Sequence, residues 1–345
     1  MTSRGLVVTF ALLSACARPV PTIDRLDVLV VAPHPDDEVL LAGGVMERAV
    51  KAGQRVAVII VTNGDYTCER DGYLREAESI AALKTLGVSE ENVHFLGYPD
   101  GALAKLSAEP LPPMEHRDAT GQCIARTGTY ADRGAGRLDE HTRRTGQPAE
   151  WTSTALVGDL VALLTRLSPH EVYLAHALDD HPDHAMTYVY FRRALDQVPV
   201  APARVHRGVV HAGPCWPSDC AHYFTPDAPL PPLPKSLAAY TPDERLTADA
   251  QRKLTAIGKY TSQAGTQPRL DWLSSFARRE EAFFTERYVR EGPRWVQEGS
   301  RAISPTERVK AMGSFEEWNQ WGPEGFAAAG VRLTSRTSSS QSAPP

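Results

Sequence analysis

Two kinds of apolar pattern alternate along the chain. Residues 27–32 and 55–62 are short, nearly continuous β-branched runs, each followed by turn residues and then a helical pattern, as in strands buried on both faces of a parallel sheet. Between them, residues 38–52 place Val39, Leu40, Val45, Met46 and Val50 at helical spacing and end near Gly53, which completes a βαβ unit. The pattern repeats with a helix over about 72–86, stopped by Gly87, and a strand over 92–97. Farther along come a helix over 153–167, a strand over 171–176, a helix over about 182–197 and a strand over 205–211. The sum predicts a doubly wound, mainly parallel α/β sheet of about five strands with helices on both faces.

Two stretches break the repeat. Residues 102–150 are rich in Gly, Pro, Arg and Thr without sustained periodicity, and are too long for an ordinary connection; they read as an insertion bordering the site. Residues 213–242 are proline-rich, and helical patterns resume at about 247 and 271. One domain over 24–290 is expected, then a C-terminal extension over 291–330 and a disordered Ser/Thr/Gln/Pro tail over 331–345.

Composition narrows the partners. The chain has 345 residues, 42% hydrophobic, enough for a real core, and its net charge of −5 is spread among mixed charges. That leaves no footprint for nucleic acid or for an anionic lipid surface, so a small-molecule substrate is expected. The first 15 residues read as an export signal, with Arg4 ahead of an apolar run over 6–13 that is too short to span a bilayer. Leu13-Ser14-Ala15-Cys16 resembles a lipobox, which makes Cys16 the expected lipidation site and the protein an exported cell-envelope lipoprotein whose membrane link is that lipid; an ordinary cleaved signal is the alternative. Cys68, Cys123, Cys215 and Cys220 remain, an even number that suits an oxidising compartment. Of the three pairings, Cys215 with Cys220 and Cys68 with Cys123 is the one expected.

Chemistry concentrates at two strand ends. The first strand runs into Pro33-His34-Pro35-Asp36-Asp37-Glu38, and the carboxyl ends of strands are where open α/β sheets bind ligands. His34 and Asp37, three apart in a turn fixed by two prolines, can converge on one point as metal ligands. Asp180-His181-Pro182-Asp183-His184 also follows a strand and opens a helix, so His181 and His184 share a face toward the same crevice. Zinc takes imidazole nitrogen and carboxylate oxygen, and a catalytic site keeps one position open.

Pro-His-Pro-Asp-Asp-Glu together with His-Pro-Asp-His resembles the PIG-L, or LmbE-like, family of zinc-dependent N-acetylglucosaminyl deacetylases. Supporting signals fall in order: Thr62-Asn63-Gly64-Asp65, Arg75-Glu76, Phe95-Leu96-Gly97-Tyr98-Pro99-Asp100-Gly101 and, more weakly, Tyr260-Thr261-Ser262-Gln263. The resemblance implies a Rossmann-like fold and hydrolysis of the acetamide of N-acetylglucosamine conjugates. It implies His34, Asp37 and His184 as zinc ligands and Asp36 as general base. His181 would serve the oxyanion or leaving amine, Asp183 would orient a neighbouring histidine, and Arg75 and Asp100 would meet sugar hydroxyls. Zinc can lower the pKa of bound water to about 7, and a carboxylate beside it can take the water's proton.

Asn63 and His211 are further expected to line the substrate pocket, Asn63 from its place at a strand end and His211 from the end of the last predicted strand. Three rivals stand beside this reading. Two histidines and a carboxylate also describe an Fe2+ site. A nucleotide-binding domain would need Gly-x-Gly-x-x-Gly where this chain has Gly43-Gly44. A non-catalytic sugar-binding lipoprotein would have no use for Asp36.

Overall fold

The computed structural model describes residues 25–298 apart from 67–68, 115–125, 132–136, 214–215, 219–226, 234–240, 265–268 and 293. Cys16, the four other cysteines, the leader and the tail lie outside the described residues.

The βαβ units form as the apolar runs predict. β1 (Val28–Ala32), β2 (Val56–Thr62) and β3 (Val93–Tyr98) are buried along their whole length. α1 (Asp37–Lys51) and α2 (Glu69–Leu86) connect them. α4 (Ser153–Leu167), β4 (Glu171–Ala175), α5 (Pro182–Leu195) and β5 (Arg204–Gly208) complete a parallel sheet in the order β3-β2-β1-β4-β5. β1 pairs with β2 on one side and β4 on the other, both parallel. The chain therefore leaves β1 in one direction and returns to its other side at β4, so the β1/β4 crevice is the topological switch point.

The sheet is larger than the five strands predicted. β7 (Glu280–Glu291) pairs antiparallel with β5, and β6 (Glu244–Thr247) and β8 (Arg294–Glu298) pair antiparallel with β7, giving eight strands. β8 lies inside the stretch read as an extension. The alternation of β7 was hidden because Glu281 and Glu286 are buried carboxylates. Glu281 faces Lys253 at 2.6 Å, and Glu286 faces Arg207 at 3.0 Å. The predicted helix at 247 begins instead at Ala250, where Asp249 caps α6 (Ala250–Ile257) by accepting from Arg252 N–H. α7 (Arg269–Ser274) follows.

The long insertion folds in part. Its described residues form α3 (Glu140–Thr145) and two bridges, Met114 with Arg126 and Gly128 with Glu150. They pack on the outer edge of the sheet, where His94 on β3 meets Glu140 at 2.7 Å. Among the described residues of 102–150 none lines the cavity described below, although the Leu103 N–H donates to Asp183 and the Tyr130 hydroxyl to Asp65 beside it; residues 115–125 and 132–136 of the stretch lie outside the described residues.

α1 is kinked at Ala42 (φ −138°, ψ 24°). The backbone bonds interrupted there are replaced by side chains: Glu281 accepts from the N–H groups of Gly44 (2.8 Å) and Val45 (2.9 Å), and Lys253 donates to the Leu40 carbonyl (2.8 Å). Both side chains are buried, and their mutual contact supplies the partner that a buried charge requires. No helix of the described residues is long and apolar enough to cross a membrane.

Candidate metal centre

Two turns at the switch point supply the cluster. After β1, the Asp37 N–H donates back to the His34 carbonyl at 3.2 Å, and the His34 N–H donates to Asp37 Oδ2 at 3.1 Å. Asp36 lies between them with φ 138°, a conformation that costs a residue with a Cβ about 1–3 kcal/mol. After β4, His181 caps α5: its Nδ1 accepts the Asp183 N–H at 3.2 Å, and Pro182 occupies the first turn. That bond fixes the tautomer, leaving the hydrogen on Nε2.

Three donor atoms converge from these turns. His34 Nδ1 lies 2.9 Å from Asp37 Oδ2, His184 Nε2 lies 3.0 Å from the same oxygen, and the two ring nitrogens are 3.3 Å apart. A tetrahedral ion with ligands at roughly 2.0–2.2 Å sets its ligand atoms roughly 3.3–3.5 Å apart, so this triangle fits a small divalent ion with slight widening. The outer nitrogens are held by carboxylates. His34 Nε2 is 3.2 Å from both Asp183 and Asp100, and His184 Nδ1 is 3.3 Å from Asp179 Oδ1, an ion-pair contact. Such partners turn a histidine's inner nitrogen toward a metal. The other triplets with donor atoms within 4.8 Å, His34–His181–His184, Asp37–His184–His211 and His34–Asp100–Asp183, share this cluster. The His34–Asp37–His184 set joins two imidazoles and a carboxylate, the mixture that zinc takes, whereas His34–Asp100–Asp183 offers one imidazole and two carboxylates.

The charge balance points the same way. Asp36, Asp37, Asp100, Asp179 and Asp183 are all buried here, against the one guanidinium of Arg75 among the described residues lining the cavity. Burial opposes a charge on His184, but Asp179 and Asp37 push its pKa up to about 10, so the cluster draws positive charge. Burial raises the Asp36 carboxyl to about 7, against the pull of Arg75. Burial, then the neighbouring His34 and His184, keeps His181 neutral by driving its pKa far down, and His211 is lowered to about 4 by burial and His184.

Most predicted site residues meet at one cavity of about 250 Å3, whose walls include His34, Asp36, Asp37, Arg75, Asp100, His181 and His211. Asp183 faces one histidine, His34, at 3.2 Å, and its two oxygens also accept the Gly101 and Leu103 N–H groups. Asn63 is a correction: fully buried, it donates to the Gly97 carbonyl and ties β2 to β3 away from the cavity. Arg75 is corrected in part, because it is committed to protein groups. It donates to Asp36 and the Pro35 carbonyl through one nitrogen, and to Asp100 and the Gly64 carbonyl through the other.

Sequence reasoning missed Asp179 and Trp272. Asp179 accepts the Val210, His211 and His181 N–H groups while facing His184. Trp272 stacks on His211 with ring centroids 5.0 Å apart and lines the cavity. A second Asp before the His-Pro-Asp-His run was a signal for the first; nothing marked the second.

A mainly parallel α/β sheet with a histidine–aspartate cluster at its switch point is the class that this fold and site define. Residues 29–195 match the PIG-L family model, described as GlcNAc-PI de-N-acetylase. A 1D-myo-inositol 2-acetamido-2-deoxy-alpha-D-glucopyranoside deacetylase of Salinispora arenicola (strain CNS-205) is 26% identical over 282 residues, covering 75% of this chain and 82% of that protein. Its namesake from Mycobacterium sp. (strain KMS) is 29% identical over 187 residues, 49% of this chain and 50% of that protein, so the chain spans about half of that relative. Among solved structures, N,N'-diacetylchitobiose deacetylase from Pyrococcus horikoshii overlays with a TM-score of 0.42 and 17% identity, covering 76% of this chain and 84% of that one.

Proposed function

We propose that the protein hydrolyses the N-acetyl group of an N-acetylglucosamine-type sugar or conjugate. The observation that carries this is the His34–Asp37–His184 triangle with Asp36 on the same cavity wall, within the residues that match the PIG-L family model. These three residues would hold the ion; two imidazoles and a carboxylate suit zinc first and ferrous iron second. When bound, the ion supplies Lewis acidity, easing deprotonation of an attacking water and build-up of negative charge on the amide oxygen.

The protein's own groups do the rest. Asp36, with its carboxyl near 7, takes the water's proton. Arg75 occupies Asp36 Oδ2 at 3.1 Å, which leaves Oδ1 for that proton. His181, neutral and carrying its hydrogen on Nε2, donates to the developing oxyanion. When the C–N bond breaks, Asp36 returns the proton to the amine, so one water becomes the hydroxyl of acetate and the hydrogen on the sugar nitrogen. Export as a lipoprotein through Cys16 is part of the proposal; Cys16→Ser should abolish labelling by a fatty-acid probe, and persistent labelling would remove the anchor.

The deciding experiment measures acetate release from N-acetylglucosamine, its inositol conjugate and N,N'-diacetylchitobiose, with Asp36→Asn and His184→Ala as controls. Release by wild type alone supports the reading. No release from any of them, or equal release by the controls, refutes it.

A further inference from the structure

Asp36 keeps its unusual backbone because something holds its N–H, and that holder lies outside the cavity. The Asp36 N–H donates to Glu38 Oε2 at 2.9 Å, and the Tyr260 hydroxyl donates to Glu38 Oε1 at 2.7 Å. Glu38 is 0% exposed and Tyr260 1%, and neither lines the cavity. A carboxylate buried that deeply needs partners for both oxygens, and here one oxygen serves the turn that carries Asp36 while the other serves Tyr260.

Tyr260 is anchored in turn. The Thr261 hydroxyl, the Ser262 N–H and the Ser262 hydroxyl all donate to Glu78 on α2, at 2.7, 2.7 and 2.6 Å. The Tyr-Thr-Ser-Gln run noticed in the sequence is thus a clamp: its first residue reaches the Asp36 turn through Glu38, and its next two fasten it to a neighbouring helix.

We propose that Tyr260 and Glu38 are a positioning pair that sets the Asp36 carboxylate for proton transfer, through the Asp36 N–H, without touching substrate or metal. The proposal rests on the reading of Asp36 as the general base. Arg75 fixes one carboxylate oxygen, and Glu38 fixes the backbone from which the carboxylate hangs. With the Tyr260 hydroxyl gone, Glu38 loses the phenol donor on its Oε1, and the Asp36 backbone is freer to relax from φ 138° toward ordinary values. The carboxylate then swings off line, while the ligands His34, Asp37 and His184, each held by other partners, stay in place.

The test uses the full chain and whichever of the three sugars named above wild type turns over fastest. Tyr260→Phe should lower kcat about 3- to 10-fold, the worth of one hydrogen bond, with KM within about twofold and metal content unchanged. Glu38→Ala should lose more than Glu38→Gln, because the amide can still accept from Asp36 N–H and donate to the Tyr260 oxygen. In an Asp36→Asn background, Tyr260→Phe should cost nothing further, since its path to the reaction is already cut. A merely structural role would lower melting temperature and leave kcat per metal-loaded molecule intact, or lower the rate equally in both backgrounds; either result overturns the proposal. Failure of wild type to release acetate, or full rate in Asp36→Asn, would instead strike the base assignment itself.

Discussion

Asp179→Asn isolates the carboxylate behind His184. In the wild type, Asp179 Oδ1 faces His184 Nδ1 at 3.3 Å and Oδ2 accepts the Val210 and His211 N–H groups at 2.7 and 3.0 Å. An ionised carboxylate favours the hydrogen on His184 Nδ1, which leaves Nε2 with its lone pair inside the triangle. In the variant the Val210 and His211 N–H groups will hold the amide oxygen of the new side chain, so its NH2 must face both His184 and the His181 N–H, which loses its acceptor. The ring then prefers its hydrogen on Nε2, the wrong atom for a ligand. Loss of such an outer partner costs about 10- to 100-fold in metal affinity, or about 1.4–2.7 kcal/mol. Asp179→Ala should show the same loss plus a lower Tm, because three backbone donors lose an acceptor at about 1–3 kcal/mol each where water does not replace it. Zinc affinity is read by competition with a chelator of known affinity, and Tm by circular dichroism. If Asp179→Asn holds zinc as tightly as wild type while His184→Ala does not, the orienting role is wrong.

Asp37→Ala and His184→Ala should lose metal and activity together, whereas Asp36→Asn should keep its metal and lose about 100- to 10,000-fold in kcat; atomic emission beside acetate release checks this, and reversed metal contents would exchange the two roles. Gly44→Ala places a Cβ 2.3 Å from the Cβ of Ala248 and 3.0 Å from its Cα, so it should cost about 1–3 kcal/mol in denaturant unfolding, and an unchanged midpoint would show that the turn between β6 and α6 yields freely. Burial raises the Glu140 carboxyl, but His94 and Arg143 hold it at about 2, below its ordinary 4.5. A depressed carboxyl contributes stability above about pH 4.5 and loses it as pH falls toward 2, so Glu140→Gln should flatten the fall of Tm across that window, and a curve parallel to wild type would contradict it.

The sheet's centre was legible because strands covered on both faces write themselves as unbroken apolar runs, as 28–32 and 56–62 do. The two turns of the candidate centre were legible because His34, Asp37, His181 and His184 sit at fixed short spacings beside prolines. What was lost depended on partners distant in sequence. Glu281 looks like a surface residue until Lys253 is set against it, and so β7 was unreadable. Asp179 and Asp180 are identical letters, yet the first is fully buried behind His184 and the second is exposed. Asn63 misled for the converse reason: a turn-like Asn-Gly at a strand end lines a pocket or ties two strands according to where its amide points, which spacing does not encode.

The kink in α1 also has a history in time. Gly44 receives its acceptor from a residue 237 positions later, and Leu40 its donor from one 213 positions later. At about 5–20 residues per second of synthesis, the helix that begins at Asp37 emerges roughly 10–50 seconds before Glu281 exists to fix its course. Until then its broken turn has no buried carboxylate to close it, and the nascent His34–Asp37 turn hangs from an unfinished helix. The centre is thus among the first pieces of the chain to be made and among the last to mature.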